Sequence, residues 1–516
     1  MPSVTFKNLS YHNAEQFKEA FYEPQPDIGY VFLSRHIPWP NDDNPTTPND
    51  CNFCERNVWD NMFAAKRITG NDVELVIPKI EWTGNTKYRA FDDTVGVDVL
   101  LSSNTSQNLK PMYVITTERN VYKCLANNVG ANSTIQPVGD YGTANGTIST
   151  ADGYIWKYMF NVKPSNRFLT NDWVPAPTNT EQLDYTVNSI GVIAGELTRI
   201  IVTNSGSGYT TQTKTACTFS SGATTITLAN TTNLVANMAI TGTGIATGTY
   251  ITNIDIVNVA ISLSLVTAAN GGGSNVANTL TFSTRAYVSG TGTAAAATAT
   301  ISNNSVSRID LTSFGKNYSK ANVDIYGNGS GATARAVIGP RFGHAYEPAK
   351  ELCANNVMVS CRIGELDSTE GGIISTDTSF RQFGLVRNTY KYGQSVAANT
   401  TTSNSVISQT TNITVVSGTT YTLDEFVYQG ASPETASFSG YVHAYQGNVV
   451  RLTGVQGTPT IGTRLIGATS GITRTLVAKV NPEFEPYTGD MLYISNNTKT
   501  ERTDGQAENI KFVVKF

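Results

Sequence analysis

The side chains that could do chemistry in this sequence are few and scattered. Cys51 and Cys54 have the CxxC spacing found in zinc sites, but the chain has no second CxxC. A tetrahedral zinc site lacks visible partners, because no two histidines stand at ligand spacing; they are His12, His36, His344 and His443. Six cysteines in a chain of 516 residues also make no disulfide framework. We therefore expect reduced thiols, no bound metal and a reducing compartment.

The other candidate motifs are weak. The acid-rich stretch "NDDNPTTPND" (41–50) could coordinate a cation, but its prolines favour a solvated loop. The glycine loops "GTGIATG" (242–248) and "GNGSGA" (327–332) lack the Lys-Ser/Thr pair of a P-loop. Asp92 and Asp93 are adjacent, so in a strand they would point to opposite faces. No GxSxG or HExxH occurs, and we predict no enzyme: no catalytic residue, no cofactor-binding residue and no metal ligand.

The composition predicts a β-rich protein with many polar turns. Only 15% of the residues are charged, whereas Thr, Asn, Ser and Gly are abundant, and long solvated helices would need more Glu and Lys. The net charge of -4 gives no sign of nucleic-acid binding. We see no run of about 18 apolar residues and no basic-then-apolar leader, so we expect neither a membrane span nor a signal peptide.

Two early segments predict helices, and strands are predicted around them. "NAEQFKEAFYEP" (13–24) has Asn13 as a possible N-cap, an apolar stripe, and Pro24 as its end. "ERNVWDNMFAAKRI" (55–68) has apolar residues on one side of a second helix. Strands are predicted at "YVFLSRHIPW", "VELVIP", "MYVITT" and "NVYKCLA". This part of the chain is therefore expected to be α+β, dominated by sheet.

The composition changes near residue 196, where an internal repeat begins. "LTRIIVTNSGSGYT" (197–210) aligns with "VSRIDLTSFGKNYS" (306–319), and residues 288–301 align with 325–338. Between Lys214 and Arg285 only Asp255 is charged, which indicates a module inserted into the first copy. A repeated supersecondary unit indicates stacking or duplication rather than catalysis. A second uncharged stretch, between Lys391 and Asp424, opens another insertion with Gly-rich hairpins.

The predicted organisation is a compact core domain, dominated by sheet, that is interrupted twice by all-β modules. We expect both insertions to fold independently of the core and to lie on its surface. The predicted parts are the first part of the core at 1–195, a β-repeat insertion at 196–340 with a nested module at about 217–284, the continued core at 341–392, a second insertion at 393–480, and the C-terminal strands of the core at 481–516.

One strand carries four aromatic rings on a single face. In "DGYIWKYMFNV" (152–162) a period of two puts Tyr154, Trp156, Tyr158 and Phe160 together, whereas Lys157 falls on the opposite, solvent-facing side and should tolerate Ala. The rings could form a core, a subunit interface or a ligand platform. The residues predicted for core or interface are Trp39, Trp59, Trp82, Tyr154, Trp156, Tyr158, Phe160, Phe380, Tyr487 and Tyr493.

Eight segments, taken in order, resemble one known family. They are "YVFLSRHIPW", "WDNMF", "ELVIPKIEWTGNTKYRAF", "VYKCL", "GTISTADGYIWKYMF", "SFRQFGLVRN", "YTGDMLYISNN" and "ENIKFVVKF". No single segment is decisive, but their shared order resembles the baseplate wedge subunit eight family of T-even-type contractile-tailed phages. The resemblance covers residues 1 to about 195, 345–392 and 481–516, and the two insertions depart from it.

The resemblance implies a non-enzymatic virion protein, mostly a β-sandwich with helices in flanking loops. It implies a homodimer that docks among the other baseplate wedge subunits, with six wedges around a central hub. The implied location is the tail baseplate, after assembly in the host cytoplasm, with no nucleic-acid or membrane partner. The aromatic strand would then be scaffold.

A receptor- or glycan-binding tail adhesin is the main alternative. It draws on the Thr/Gly-rich modules and on Tyr209 and Tyr318, which the repeat places at equivalent positions. In repeat units such tyrosines are more often packing residues at a turn. A polysaccharide depolymerase is a third hypothesis, for which no catalytic pair is visible. A wedge subunit should assemble with other baseplate proteins, whereas an adhesin should bind isolated cells or glycans.

Overall fold

The structure is a computed structural model of the chain. It describes residues 6–22, 28–139, 146–178, 185–187, 192–265, 267, 278–364, 374–394, 405–503 and 507–516. Pro24, predicted from the sequence to end the first helix, lies outside these residues. The fold is mainly β, as the composition predicts, with short helices beside the sheets.

The elements are as follows in chain order. The first part contains α1 (Lys7–Glu19), β1 (Gly29–Ser34), α2 (Asn52–Asn61), β2 (Met62–Ile68), β3 (Val73–Pro78), β4 (Lys87–Tyr88), α3 (Val97–Leu100), β5 (Leu109–Lys110), β6 (Tyr113–Ile115), β7 (Asn120–Asn127), β8 (Thr147–Ser149), β9 (Tyr154–Val162), β10 (Trp173–Pro175) and β11 (Tyr185–Val187). Then come β12 (Leu197–Ser207), β13 (Gln212–Cys217), β14 (Thr225–Thr227), β15 (Ala239–Thr241), β16 (Ile251–Asp255), β17 (Ala260–Leu263), β18 (Asn278–Ser283), β19 (Arg285–Gly290), β20 (Thr293–Ser302), β21 (Ser305–Lys316), β22 (Ala321–Tyr326) and β23 (Ser330–Ile338).

The remaining elements complete the chain. They are α4 (Pro348–Glu351), β24 (Asn356–Ile363), β25 (Thr378–Arg387), β26 (Val406–Ser408), β27 (Thr411–Val415), β28 (Phe426–Gln429), β29 (Phe438–Gln446), β30 (Val449–Gly457), β31 (Arg464–Gly467), β32 (Thr473–Val480), β33 (Asp490–Arg502) and β34 (Glu508–Lys515). Single 3-10 turns lie at Gly70–Asp72, Thr105–Gln107, Asn128–Gly130 and Pro433–Thr435.

Both predicted helices exist, but their bounds were wrong. The first begins six residues before Asn13, because Tyr11, Ala14 and Lys18 already form its buried stripe. The second ends at Asn61, and the rest of the segment is β2, paired with strands on both sides. Strand pairing therefore overrides the helical spacing of the apolar residues after Asn61. The four strands predicted in this region are present as β1, β3, β6 and β7.

The chain forms two compact units, 1–77 with 354–516 and 78–353. In the first unit a five-stranded sheet has the order β26-β2-β1-β25-β33, so β1 lies at its centre and is buried along its whole length. A second sheet places β24 between β3 and β34. Phe512 joins the two sheets: its ring stacks on Tyr493 at 4.5 Å and lies 5.9 Å from Phe383. The two sheets of this unit therefore pack against each other through these aromatic rings.

Residues 411–480, within the predicted second insertion, form a closed barrel in the first unit. Its strand order is β27-β30-β29-β28-β31-β32, and its interior is filled by apolar residues, among them Phe438, Leu452 and Leu476. Closure leaves no exposed strand edge, which explains how so short a module can be stable. The segment before the barrel also contributes β26 to the five-stranded sheet, opposite β2.

In the second unit, β9 lies inside a sheet with the order β11-β9-β7-β6, and β8 also pairs with β9. The burial pattern shows that both faces of β9 are covered. On one face Trp156 stacks on Tyr154 at 5.5 Å and meets Tyr88 edge-to-face at 5.4 Å. The other face is apolar at Met159 but carries Lys157, which is fully buried. The expectation that Lys157 faces solvent is wrong.

The two copies of the internal repeat occupy equivalent positions. β12 of the first copy pairs with β23 of the second, β21 of the second pairs with β20 of the first, and β19 pairs with β22 between them. The equivalent tyrosines lie over equivalent glycines: a Cβ at Gly329 would meet the ring of Tyr209 at 2.5 Å, and one at Gly292 would meet Tyr318 at 2.4 Å. Each copy is therefore completed by strands and turns of the other.

The nested module closes on itself. β13-β18-β15 and β14-β17-β16 form two three-stranded sheets around a core that includes Met238, Ile261 and Phe282. β13 and β18 pair at Gln212↔Phe282, so the entry and exit of the module are neighbours. The module is thus attached to the repeat at one narrow place.

We predict that residues 213–283 can be replaced by a short Gly/Ser bridge without unfolding the rest of the second unit, because the ends already lie side by side. Removal of 196–340 would disturb the unit more, because it would also delete Glu196, which lies near Lys157, and Arg199, which donates to the carbonyls of Phe91 and Leu125. Circular dichroism and a thermal melt of the deletion protein test it. An aggregated product, or one without a cooperative transition, would contradict the prediction.

The second prediction concerns Trp156. Replacing this buried ring by Ala should lower the free energy of unfolding by about 3–5 kcal/mol, since a cavity remains. Trp156→Phe keeps a ring against Tyr154 and serves as the matched control. Its free energy of unfolding should fall by clearly less than that of Trp156→Ala. Chemical denaturation of the three proteins measures both differences. Equal midpoints for wild type and Trp156→Ala would refute the packing role.

Candidate functional site

The most unusual polar site lies in the sheet of the second unit. Lys123 on β7 and Lys157 on β9 are direct register partners, and neither side chain is exposed. Like charges opposite one another destabilise a sheet, and burial adds to that cost. Both are therefore expected to have close acidic partners. Each lysine interrupts an apolar run, in "VYKCL" and "YIWKYMF".

Lys123 is held by three groups. Its Nζ lies 3.0 Å from Glu351 Oε2 and 3.2 Å from His344 Nδ1, and it stands 4.1 Å from the ring centroid of Phe91. Since an ammonium group can only donate, we assign Nδ1 of His344 as an acceptor and place the ring proton on Nε2, which donates to Thr198 Oγ1 at 2.9 Å. The imidazole is then neutral.

The charges of this cluster set its titration. Burial and the neighbouring Lys123 ammonium lower the pKa of His344 to about 3, in agreement with the neutral ring. Burial alone would raise the pKa of Glu351, but the neighbouring Lys123 ammonium outweighs it and holds the pKa at about 2. Burial lowers the pKa of Lys157, and the charges of Glu196 and Glu351 oppose that shift. One carboxylate therefore neutralises Lys123 directly.

Glu196 is the second acid of the cluster. Burial raises its pKa to about 7, although Lys157 and a backbone hydrogen bond from His344 favour the charged form. Its Oε1 atom has no hydrogen-bond partner among the residues that the structure describes. Glu196 thus changes charge near neutral pH, which an ordinary glutamate does not.

This cluster lies where the β-repeat meets the rest of the second unit. Glu196 precedes β12, and the chain returns from β23 to His344. Arg199 on β12 donates to the backbone carbonyls of Phe91 and Leu125, and Arg335 on β23 binds Asp92. Arginine contacts therefore join the β-repeat to the rest of the second unit near both of its ends.

Asp92 and Asp93 do not lie in a strand, so the expectation of opposite faces is wrong. They lie in a turn, and Arg335 binds both: Nη2 contacts Asp92 and Nη1 lies 3.2 Å from Asp93 Oδ1. Asp93 also accepts the backbone N–H of Ile338 at 3.1 Å. The pair therefore serves as an anchor for β23.

A second histidine cluster lies in the first unit, between the five-stranded sheet and the barrel. His36 Nδ1 lies 2.5 Å from Asp424 Oδ1, and His36 Nε2 lies 2.6 Å from Thr453 Oγ1. The ring of His443 stacks on Phe63 at 4.0 Å, and burial lowers the pKa of His443 well below its usual value. The Asp-His-Thr order is that of a hydrolase triad, but the Thr453 hydroxyl is buried under the barrel strands. The geometry therefore favours a packing role.

The motifs considered first for chemistry have other uses. Asp42 of the acid-rich loop forms a two-point ion pair with Arg381, with Nε–Oδ1 at 2.9 Å and Nη2–Oδ2 at 2.7 Å. Among the residues described, no cluster of His, Cys, Asp or Glu could hold a metal ion. Cys51 and Cys54 form a disulfide, so the expectation of reduced thiols is wrong at these two positions. In the same described part, no helix is long and apolar enough to span a membrane.

The predicted core or interface residues fall into three groups. Trp59, Tyr154, Trp156, Tyr158, Phe160 and Phe380 are buried. Trp39, Trp82 and Tyr493 are half-buried. The indole N–H of Trp39 donates to the carbonyl of Asn497, and that of Trp82 donates to Ser133 Oγ. Tyr487 is 57% exposed and is not a core residue of this chain. The residues that sequence reasoning missed are Lys123, Glu196, His344 and Glu351, and the only signal was a lysine inside each of two apolar runs.

We predict that Glu196→Gln changes the pH dependence of stability. Because its folded pKa of about 7 exceeds the usual 4.5, Glu196 contributes stability that is present below pH 4.5 and lost as pH rises through 7. As the pH rises from 4.5 to 7, the free energy of unfolding of the Gln variant should therefore increase relative to that of wild type, by at most about 3 kcal/mol.

Denaturation midpoints at several pH values, read for wild type and variant side by side, measure this gain. The comparison cancels the opposite slope of His344, whose lowered pKa acts on both proteins. Glu347→Gln, in the segment that carries His344 but partly exposed, is the control, and its difference from wild type should not vary with pH. A Glu196→Gln difference that does not vary with pH would contradict the prediction.

Comparison with known proteins gives one partial match to report. The chain is 26% identical over 190 residues to "Baseplate wedge protein gp8" of Enterobacteria phage T4, a region that is 30% of this chain and 54% of that protein. The chain thus spans about half the length of the curated relative that it matches. No family model matches the chain. The match supports a distant relationship to a structural phage baseplate protein.

Proposed function

We propose that this protein is a structural subunit of the baseplate wedge of a contractile phage tail. The observation that carries the proposal is the partial identity to a baseplate wedge protein. The mainly β fold agrees with it. The charged clusters described in both units are engaged in internal contacts, as expected of a structural subunit.

The finer parts of the proposal concern partners and place. We propose that the protein binds other wedge subunits, forms a homodimer within each wedge, and reaches the virion baseplate after assembly in the host cytoplasm. It acts without catalysis, through the surfaces that it presents. These statements rest on the ordered segments that resemble the family and on the partial match.

Tyr487 is the best candidate for a contact residue. Its side chain is 57% exposed, and its backbone has φ 62, a conformation that non-glycine residues rarely adopt. The hydroxyl donates to Asp60 Oδ1 on α2, which orients the ring. Strained and exposed aromatic residues are concentrated at functional surfaces, and tyrosine is enriched in interfaces.

The adhesin alternative loses its original argument. Tyr209 and Tyr318 are both buried under the turns of the repeat, so they cannot form a glycan platform. What remains for that alternative is the tip of the nested module, where Ile256 and Val257 are exposed. Two apolar side chains at one turn are ordinary on a protein surface.

The proposal predicts that the purified chain enters wedge complexes when it is mixed with the other baseplate proteins of the same phage. Tyr487→Ala should fold with an unchanged melting curve but reduce incorporation, because it removes an exposed anchor and no core contact. Tyr392→Ala, which is 38% exposed in the same unit, is the matched control. Sedimentation of the mixtures and thermal melts of the variants give the two readouts.

One result would decide against this function, and a second would only remove Tyr487 from the proposed interface. A wild-type chain that stays outside the wedge complexes and instead binds host cells or glycans would establish the adhesin. A wild-type chain that joins the wedge while Tyr487→Ala joins equally well would keep the wedge function and remove Tyr487 from the interface.

A further inference from the structure

The disulfide between Cys51 and Cys54 lies at the beginning of α2. Cys51 is the N-cap residue, and its Sγ accepts the backbone N–H of Cys54 at 3.2 Å. Both cysteines are half-buried, and the two residues between them are exposed, Phe53 by 76%. The positive end of the helix and a direct N–H donor stabilise a thiolate at an N-cap. Reagents can reach this pair from solvent.

The helix does not need the disulfide to stay in place. Trp59 and Val58 of α2 belong to the core of the first unit, and the Val58 carbonyl accepts a hydrogen bond from Ser34 Oγ at 3.0 Å. These contacts lie one to two turns beyond the cysteines. A disulfide that closes so short a loop also constrains the unfolded chain weakly.

The chain that leads into Cys51 is anchored independently as well. Arg381 binds Asp42 through two hydrogen bonds, and Asn496 Nδ2 donates to the carbonyl of Thr46 at 2.7 Å. Opening the disulfide therefore releases only the first turn of α2 and the few residues before it. Reduction of the disulfide therefore changes the two sulfur atoms and the first helical turn, and the anchored residues on both sides keep their positions.

The other cysteines are in a different environment. Cys124, Cys217, Cys353 and Cys361 are buried, and burial raises the pKa of the Cys124 and Cys217 thiols. Buried thiols with a raised pKa are poor nucleophiles. Cys51 and Cys54 thus differ from the buried cysteines in two ways: reagents reach them more easily, and a thiolate is better stabilised there.

We propose that Cys51 and Cys54 form a reversible thiol–disulfide exchange site, reduced by a thiol pool of the glutathione class and oxidised by the corresponding disulfide. The inference rests on the helix-capping geometry of the pair and is independent of the function proposed above. The nucleophile is Cys51, whose sulfur accepts a hydrogen bond from the backbone N–H of Cys54. Cys54 is the resolving thiol.

The exchange balances with glutathione as the partner. The Cys51 thiolate attacks one sulfur of oxidised glutathione, forms a mixed disulfide and expels one glutathione thiolate. The Cys54 thiolate then attacks the sulfur of Cys51, the Cys51–Cys54 bond forms, and the second glutathione leaves. Two protons pass from the two cysteines to the two glutathione thiolates. Reduction runs the same steps backwards.

Equilibration of the full chain with glutathione buffers of graded composition tests the proposal. After acid quenching and alkylation, the mass of the peptide that contains both cysteines reports its state. We expect the dithiol in reduced glutathione, the disulfide in oxidised glutathione, and an unchanged thermal midpoint in both. Cys54→Ser should trap a glutathione adduct on Cys51 and react with iodoacetamide at pH 7 roughly tenfold faster than an unfolded thiol.

Cys51→Ser is the matched control, because it leaves the resolving thiol alone at the helix start; its alkylation should be the slower of the two. Three results would overturn the proposal. They are a disulfide that persists in reduced glutathione, a melting midpoint that falls when the pair is reduced, and a Cys54→Ser thiol that reacts no faster than the unfolded chain. The first two would make the disulfide a structural staple.

Discussion

The second unit is organised around two ammonium groups that face each other inside a sheet. Lys123 and Lys157 occupy opposite register positions on β7 and β9, where apolar side chains would cost nothing. A buried like-charge pair is tolerable only if carboxylates come to it, and Glu351 and Glu196 do so from outside the sheet. The requirement ties the sheet to the segments on both sides of the β-repeat. A core of this kind specifies which segments must meet, at a cost in stability that apolar packing elsewhere offsets.

The same arrangement appears where the barrel meets the five-stranded sheet. His36, just after β1, reaches Asp424 and Thr453 of the barrel, while His443 stacks on Phe63 of β2. In each unit, therefore, a buried histidine with polar partners lies where an all-β module meets the rest of the unit. Hydrogen bonds with fixed geometry orient a joint more narrowly than apolar contact does, because they tolerate little rotation.

Sequence patterns could predict the elements but not the polar joints. Period-two and composition arguments found β1, β3 and β7, and the repeat alignment found Tyr209 and Tyr318. Local spacing failed after Asn61, where pairing with β1 turned a helical pattern into β2. It also failed at Lys157, since alternation assumes one solvated face and β9 has none. The partners of Lys123 lie more than 200 positions away in the chain, as the separations of 221 and 228 to His344 and Glu351 show, and no local rule connects them.

The paired repeat also records an order of events. Only the first copy is interrupted: its chain leaves after Tyr209 and returns at β19, whereas the second copy runs from Tyr318 straight into β22. Copying a unit that already held the nested module would have produced two such modules, so the simplest history is duplication first and acquisition afterwards. The turn that follows the tyrosine is then a position that tolerates an inserted sequence. The ring is already packed against its glycines before the nested module begins, so the insertion leaves that packing intact.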